Sequence, residues 1–99
     1  MLPGQRNFIL EEECQQNIIN EIKAERDYQD KKWGYEFDDK NTLNDWATYI
    51  NIYLAKATAM GIQKEEQRKM LVKVATLAVA ALETFDRNGG FPNRHYDTY

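Results

Sequence analysis

The strongest pattern in this chain is a long apolar run in its C-terminal half, between residues 64 and 87. Apolar side chains recur there every three or four residues, which is the spacing of one face of an α-helix. The first stripe comprises Leu71, Val74, Leu77, Ala78, Ala81, Leu82 and Phe85. A second stripe comprises Val72, Ala75 and Val79. A helix that is apolar on two faces predicts a central position between neighbours, so the chain should fold as an all-α helical bundle.

The N-terminal half predicts one helix followed by a loop. The helix runs from about Glu11 to Gln29, and its three opening glutamates suit the positive end of a helix dipole. One face of this helix comprises Cys14, Ile18, Ile19, Ile22 and Arg26. Cys14 has no basic neighbour that would activate its thiol, so it is interpreted as a small core residue. Residues 32–40 contain Gly34 and three acids and are interpreted as a loop.

A further helix is predicted between this loop and Gly61. Asn41 or Thr42 can cap its N-terminus, and Gly61 can supply a left-handed stop. Trp46 lies in its first turn on the apolar face and is predicted to be a core residue. The chain therefore has three main helices, and no segment shows the alternating pattern of a β-strand.

The 99 residues are expected to form a single α-helical domain with a C-terminal tail at about residues 88–99. The tail begins with Asn88-Gly89-Gly90, which ends the third helix. It contains the one histidine, His95, which has an aspartate nearby and suits acid–base chemistry. In a terminal segment the histidine is interpreted instead as part of an element that docks on the fold.

The composition excludes several classes of protein. With 42% apolar and 29% charged residues, the chain is ordinary soluble globular material. No apolar stretch approaches the roughly 20 residues that span a bilayer, and the N-terminus lacks the apolar core of a signal peptide. One cysteine excludes an internal disulfide and suits a reducing cytoplasm. The net charge of −3, without a concentrated basic face, argues against nucleic acid as the main partner.

Three helices of this length leave more apolar surface than one chain can cover. Burial of that surface is worth about 25 cal/mol per Å². Self-association is the simplest way to achieve it. We expect helices two and three to complete a four-helix core with a second copy across a two-fold axis.

A polar motif precedes the second predicted helix. Residues 25–34 read E-R-x-x-Q-x-x-K-W-G, and Asp45-Trp46 opens the next helix. The third helix is rich in valine and alanine and ends with Glu83 and Arg87. Over most of the chain this combination resembles the small MazG-like proteins of bacteriophages, which belong to the all-α nucleoside triphosphate pyrophosphohydrolase superfamily. The resemblance implies a MazG-like fold that assembles as a homodimer or higher oligomer in the cytoplasm of the host cell.

The acidic residues that hold magnesium in that superfamily are missing at the matching positions. There, helix two carries a Glu-Glu-x-x-Glu cluster and helix three an acidic pair, and the bound magnesium neutralises the triphosphate and activates water. Counted from Trp46, the matching positions are Ile52, Tyr53 and Lys56 on helix two, and Met70 or Lys73 on helix three. The resemblance therefore predicts a scaffold without the ancestral metal site, without catalytic residues and without a cofactor.

Four acids elsewhere are the candidate ligands of a rearranged magnesium site, in case the protein is an enzyme. They are Glu21, Glu25, Asp45 and Glu83. The favoured interpretation gives them structural roles, since scattered acids on amphipathic helices are normally at the surface. In that interpretation Glu21 and Glu25 are solvated, Asp45 stabilises a helix start, and Glu83 pairs with Arg87 one turn later.

Five residues are the candidates for a nucleotide site without metal. Lys56 and Lys73 place two cations where the resemblance expects metal, and cations can bind a phosphate directly. Trp33 can stack a base, and Arg26 and Gln29 can hydrogen-bond it. In the competing interpretation the lysines are solvated, the arginine and glutamine anchor the loop, and the tryptophan is a lid on the core.

Three functions remain open at this point. A non-catalytic protein that binds, and so sequesters, a nucleotide or nucleotide-like signal is favoured, because the missing carboxylates are the groups that perform the chemistry. The first alternative is an active magnesium-dependent nucleoside triphosphate pyrophosphohydrolase with a rearranged metal site. The second is a protein-interaction module on the same scaffold.

Overall fold

The computed structural model of the protein describes residues 8–59 and 61–94. Helix α1 spans Phe8–Lys40, α2 spans Leu43–Ala57 and α3 spans Lys64–Asn88. No strand occurs in the described ranges, so the prediction of an all-α chain with three main helices is confirmed. Helix α3 packs against both α1 and α2, as its two apolar faces predict. The tail segment around His95 lies outside the described residues.

Helix α1 is longer at both ends than its periodicity predicts. The interpretation of residues 32–40 as a loop is wrong, because these residues continue α1 after a break at Gly34. Gly34 has a φ of 78° and a ψ of 176°, a conformation that side-chain-bearing residues avoid. The acids that suggested a loop are held by arginines, since Asp38 pairs with Arg26 and Asp39 with Arg87.

The start of α2 and the end of α3 follow the predicted capping residues. Thr42 is the N-cap of α2: its hydroxyl accepts a hydrogen bond from the Asp45 amide at 3.2 Å, and the Asp45 carboxylate accepts one from the Thr42 amide at 2.9 Å. This reciprocal capping box satisfies two backbone donors at the helix start. Helix α2 ends at Ala57 with Thr58 as its C-cap, so the prediction that Gly61 stops this helix is wrong. Gly61 adopts its positive φ in the connection that follows. Gly89 is the left-handed cap that ends α3, as predicted.

The core is small and centred on one aromatic residue. Trp46 is 2% exposed, which confirms its predicted place in the core, and it packs with Leu77, Ala80 and Ala81 of α3. The described part of the tail contributes Phe91, which packs against this cluster. Small residues on α3 let the indole of α2 approach closely, so most of the hydrophobic stabilisation depends on this contact.

Two fully buried threonines continue the same face of α3. The hydroxyl of Thr76 donates to the carbonyl of Val72 at 2.7 Å, and that of Thr84 donates to the carbonyl of Ala80 at 2.9 Å. Each hydroxyl is thereby satisfied within the helix, so it can be buried without an unpaired polar group. These threonines were missed because the apolar stripe alone was used to identify the buried face.

The rest of the predicted stripe faces outward. Leu71, Leu82 and Phe85 are 53%, 63% and 45% exposed, so the single chain leaves part of the apolar stripe uncovered. On α2, Leu43 and Leu54 are also exposed. The apolar residues of the outward face, at heptad-like spacing on α2 and α3, are Leu43, Ala47, Leu54, Leu71, Ala75, Ala78, Leu82 and Phe85.

The accessible surface of the chain is large for its mass. It measures 7772 Å², roughly a third more than the about 5,900 Å² expected for a compact monomer of this size. The radius of gyration is 16.7 Å, against about 13 Å for a compact domain of about 100 residues. The N-terminal part of α1 contributes to the difference, since Ile18, Ile19 and Cys14 are exposed and the prediction of a core cysteine is wrong. None of the described helices has an apolar stretch long enough to cross a membrane.

Candidate functional site

Polar contacts join α1 to α3 along their length. The ion pairs link Glu21 to Arg68, Glu25 to Lys73, Arg26 to Glu83 and Asp39 to Arg87. The residue numbers rise together on both helices, so α1 and α3 run parallel. This arrangement fixes the position of α1 relative to α3 and therefore the position of every α1 side chain that faces α2.

Arg26 is the buried centre of these contacts. Its Nη2 donates to the carboxylate of Asp38 at 2.8 Å, and its Nε donates to that of Glu83 at 3.0 Å. Arg26 and Asp38 are 7% and 5% exposed. Burial raises the pKa of the Asp38 carboxyl, although the Arg26 guanidinium acts in the opposite direction. Arg26 thus positions Asp38, and two of its donor nitrogens are committed to protein carboxylates.

The four candidate metal ligands are held apart by separate partners. Glu21 accepts two hydrogen bonds of 2.7 Å from Arg68, which lower the pKa of its carboxyl. Glu25 accepts from Lys73 at 3.0 Å. Among the described residues, no three His, Cys, Asp or Glu side chains gather closely enough to hold a metal ion.

These contacts change two of the structural roles inferred for the acids. Glu21 and Glu25 are not simply solvated, because both are ion-paired with α3. Glu83 pairs with Arg26 rather than with Arg87 one turn later, since Arg87 is held by Asp39. The stabilising role of Asp45 at the start of α2 is confirmed by its capping box.

A cavity of about 180 Å³ lies between α1 and α2, above α3. Five aromatic rings line it, and we call it the aromatic cavity: Trp33, Phe37, Trp46, Tyr49 and Tyr53. Gln29 and Asp38 form its polar edge, and Ile52 and Leu77 complete the wall. A cavity with mainly aromatic walls and a few polar groups has the character of a small-molecule site.

The rings are arranged as nearly parallel plates. The centres of Trp33 and Phe37 are 5.7 Å apart with planes at 26°, and those of Phe37 and Tyr49 are 6.3 Å apart at 23°. Trp46 meets Tyr49 edge-on at 87° and forms the floor. Trp33 and Phe37 are 43% and 38% exposed, so solvent reaches the cavity from their side. A flat aromatic ligand can therefore stack on these faces.

The structure brings the five predicted ligand-binding residues to the cavity or its surroundings. Trp33 and Gln29 line it directly, and Arg26 reaches it only through the carboxylate that it positions. The ammonium groups of Lys56 and Lys73 lie 5.1 and 5.7 Å from the centre of the Tyr53 ring. No carboxylate of the described residues pairs with Lys56, whereas Lys73 is paired on α1.

Most of the lining residues were not predicted to bind a ligand, among them Asp38, Phe37, Tyr49 and Tyr53. Asp38 and Phe37 were missed because their segment was interpreted as a loop. Trp33 and Phe37 lie on either side of the break at Gly34, so regular helical spacing does not indicate that their rings meet. On α2 the signal that indicates a shared face is the series of aromatic residues three and four positions apart.

The geometry thus defines one candidate site, with stacked aromatic walls, a polar edge held by Arg26 and two lysines beside Tyr53. The aromatic walls of this site suit a planar ligand, and the two lysines suit one that carries negative charge. Comparisons with protein-family models, with curated proteins and with solved structures give no match to this chain.

Proposed function

We propose that this protein is a non-catalytic, MazG-like phage-type protein that binds a nucleotide or nucleotide-like signal in the aromatic cavity and so sequesters it. The observation that carries the proposal is the set of five aromatic rings around one opening. Stacking of a base on such rings is worth about 1–3 kcal/mol per base. An apolar cavity of about 150 Å³ holds a benzene ring. A volume of about 180 Å³ therefore suits a base and leaves the sugar and phosphate of a nucleotide outside the cavity.

The charge around the opening supports a phosphorylated ligand. Lys56 has no carboxylate partner among the described residues, and its ammonium lies over the Tyr53 ring that lines the cavity. A base stacked inside would place its phosphate on the outer side, where an unpaired ammonium favours an anion. Lys73 adds positive charge nearby, although Glu25 offsets part of it.

The proposal of a non-catalytic role rests on residue types. Ile52 and Tyr53, which stand where MazG-like enzymes carry carboxylates, are walls of the cavity. The enzyme alternative requires Glu21, Glu25 and Glu83 to leave the two arginines and the lysine that now hold them. The interaction-module alternative is favoured by the outward apolar face of α2 and α3. That face also suits a second copy of the chain, so it does not argue against ligand binding.

Nucleotide binding without magnesium is the first expected result. In a thermal-shift screen, nucleoside mono- and triphosphates should raise the melting temperature equally with magnesium and with EDTA. Chromatography of the incubated triphosphates should show no monophosphate or pyrophosphate. Magnesium-dependent turnover at about 1 per second, an ordinary enzyme rate, would establish the enzyme alternative. If neither nucleoside monophosphates nor triphosphates change the melting temperature, the result would favour the interaction module.

Self-association through the outward face is the second expected result. At micromolar concentration the protein should sediment as a homodimer or larger, and Leu82→Asp should sediment as a monomer. Leu82 is 63% exposed in the single chain, so aspartate should leave the monomer fold intact. In a dimer interface the same charge would be buried without a partner, at a cost of several kcal/mol. Lys69→Glu, on the exposed charged side of α3, is the matched control and should remain associated.

Two results would contradict this assembly. A wild-type protein that sediments as a stable monomer would show that the outward face is not used between copies. A Leu82→Asp variant that still associates would place the interface elsewhere on the surface.

A further inference from the structure

The hydrogen-bonding groups at the polar edge of the aromatic cavity restrict which ligands can bind there. Gln29 and Asp38 are 6% and 5% exposed, so their conformations are set by protein contacts rather than by solvent. Each has one end committed to a neighbouring charged residue. The end that remains available determines which hydrogen-bonding groups a ligand must present.

The amide orientation of Gln29 follows from its partner. Its Nε2 lies 3.5 Å from Oε1 of Glu25, and the same oxygen accepts from Lys73 at 3.0 Å. A carboxylate oxygen that accepts a hydrogen bond from a lysine ammonium is an acceptor for the amide as well. The reversed amide would set two oxygens against each other, so the nitrogen must face Glu25. Gln29 therefore has its oxygen left over as an acceptor.

Asp38 likewise has an acceptor left over. Its Oδ2 accepts from Arg26, while no donor within the described ranges reaches Oδ1. Arg26 is itself held by Glu83, so the carboxylate cannot turn freely. Gln29 and Asp38 thus each bring an acceptor to the lining, and Trp46 adds one donor, its buried Nε1, which has no hydrogen-bond partner among the described residues.

We infer that the cavity selects a guanine-type base, because two acceptors on one edge require two neighbouring donors on the ligand. The Watson–Crick edge of guanine presents a ring N–H beside an amino group. Adenine and cytosine present an amino group beside a ring acceptor, and uracil presents one N–H between two carbonyls. The inference rests on the proposed function and specifies the class of base that the site takes.

A ligand series on the unmodified protein tests the inference. Titrations of GMP, IMP and AMP, without magnesium and followed by tryptophan emission and calorimetry, compare bases of similar size. IMP lacks the amino donor, so it should bind about tenfold to a hundredfold more weakly than GMP, as expected for a lost hydrogen bond to a charged group. AMP, which sets an acceptor against the protein acceptors, should bind more weakly still.

The outcomes separate the inference from the proposed function. Equal affinity for GMP and AMP, or a preference for AMP, would overturn the guanine inference and leave nucleotide binding standing. Absence of binding by all three nucleotides would overturn the proposed function, and the inference with it.

Two variants locate the selectivity. Asp38→Asn gives this edge an amide that can donate, so the preference for GMP over AMP should fall at least tenfold. Asp39→Asn is the matched control, because Asp39 binds Arg87 and Asn88 outside the cavity and the preference should be unchanged. If Asp38→Asn does not fold, Gln29→Met removes the other acceptor and should reduce GMP affinity towards that of IMP. A folded Asp38→Asn or Gln29→Met variant that keeps the wild-type selectivity for GMP would overturn the inference.

Discussion

Replacement of Trp46 by alanine is expected to lower the free energy of unfolding by about 3–5 kcal/mol, the range for large aromatic residues in a core. The indole is 2% exposed and lies against Leu77, Ala80 and Ala81, which are too small or too fixed to fill the space it would leave. Urea unfolding followed by circular dichroism measures the change. A loss below about 1 kcal/mol would mean that the tryptophan is not the centre of the core.

Trp33→Ala is the matched comparison, because the second tryptophan is 43% exposed and lines the aromatic cavity. It should retain its helix content and most of its stability, yet lose the nucleotide-induced rise in melting temperature. A variant that unfolds as readily as Trp46→Ala would show that Trp33 is a lid on the core. A variant that still binds nucleotide with wild-type affinity would exclude stacking on this ring.

Replacement of Arg26 by alanine should have an effect of similar size, about 3–5 kcal/mol, because it leaves the buried charge of Asp38 without its partner. Arg68→Ala is the control: its ion pair with Glu21 is largely exposed, and such pairs are worth about 0–1 kcal/mol. Arg26 is buried and joins two carboxylates, whereas Arg68 is exposed and joins one. Equal losses of unfolding free energy in the two variants would therefore contradict the argument.

The pH dependence of the Arg26→Ala variant gives a second readout. Burial already raises the pKa of Asp38 above its usual 3.8, and loss of the guanidinium removes a group that lowers it. A raised folded-state pKa means that the folded protein takes up a proton at a pH where the unfolded chain does not. Stability should therefore recover as the pH falls through the raised pKa of Asp38. If the variant's loss of unfolding free energy relative to the wild type stays constant between neutral and acidic pH, the cause is lost packing instead.

The prediction of α2 and α3 from sequence succeeds where local signals agree. The Thr42 cap, the Gly89 stop and the three-to-four spacing between them all indicate helix, and tertiary contacts do not override them. The failure at residues 32–40 has a different origin. Glycine and acidic residues are typical of loops, but here the acids are held by arginines that are distant in sequence. Single-sequence periodicity contains no information about such pairs.

The candidate site likewise contains some residues that the sequence identifies and others that it does not. Trp33 and Gln29 are identifiable from the sequence because a motif singles them out, and both line the cavity. The structural role of Arg26 required a three-dimensional view, since its partner Asp38 is twelve residues away across the break in α1. The outward position of Leu82 was also unpredictable, because an apolar helix face indicates burial without saying whether the covering surface belongs to the same chain.

The break in α1 has a consequence for how this site can evolve. Gly34 separates Trp33 from Phe37 and Asp38, so one backbone conformation sets the relative placement of two walls and the polar edge. A Cβ at Gly34 would meet no atom within 4 Å, so steric space imposes no restriction there. The restriction is the backbone conformation, φ 78° with ψ 176°, which costs roughly 1–3 kcal/mol for a side-chain-bearing residue. Mutational drift can thus alter every ring of the cavity gradually, whereas a change of this one codon would shift half of the site in a single step.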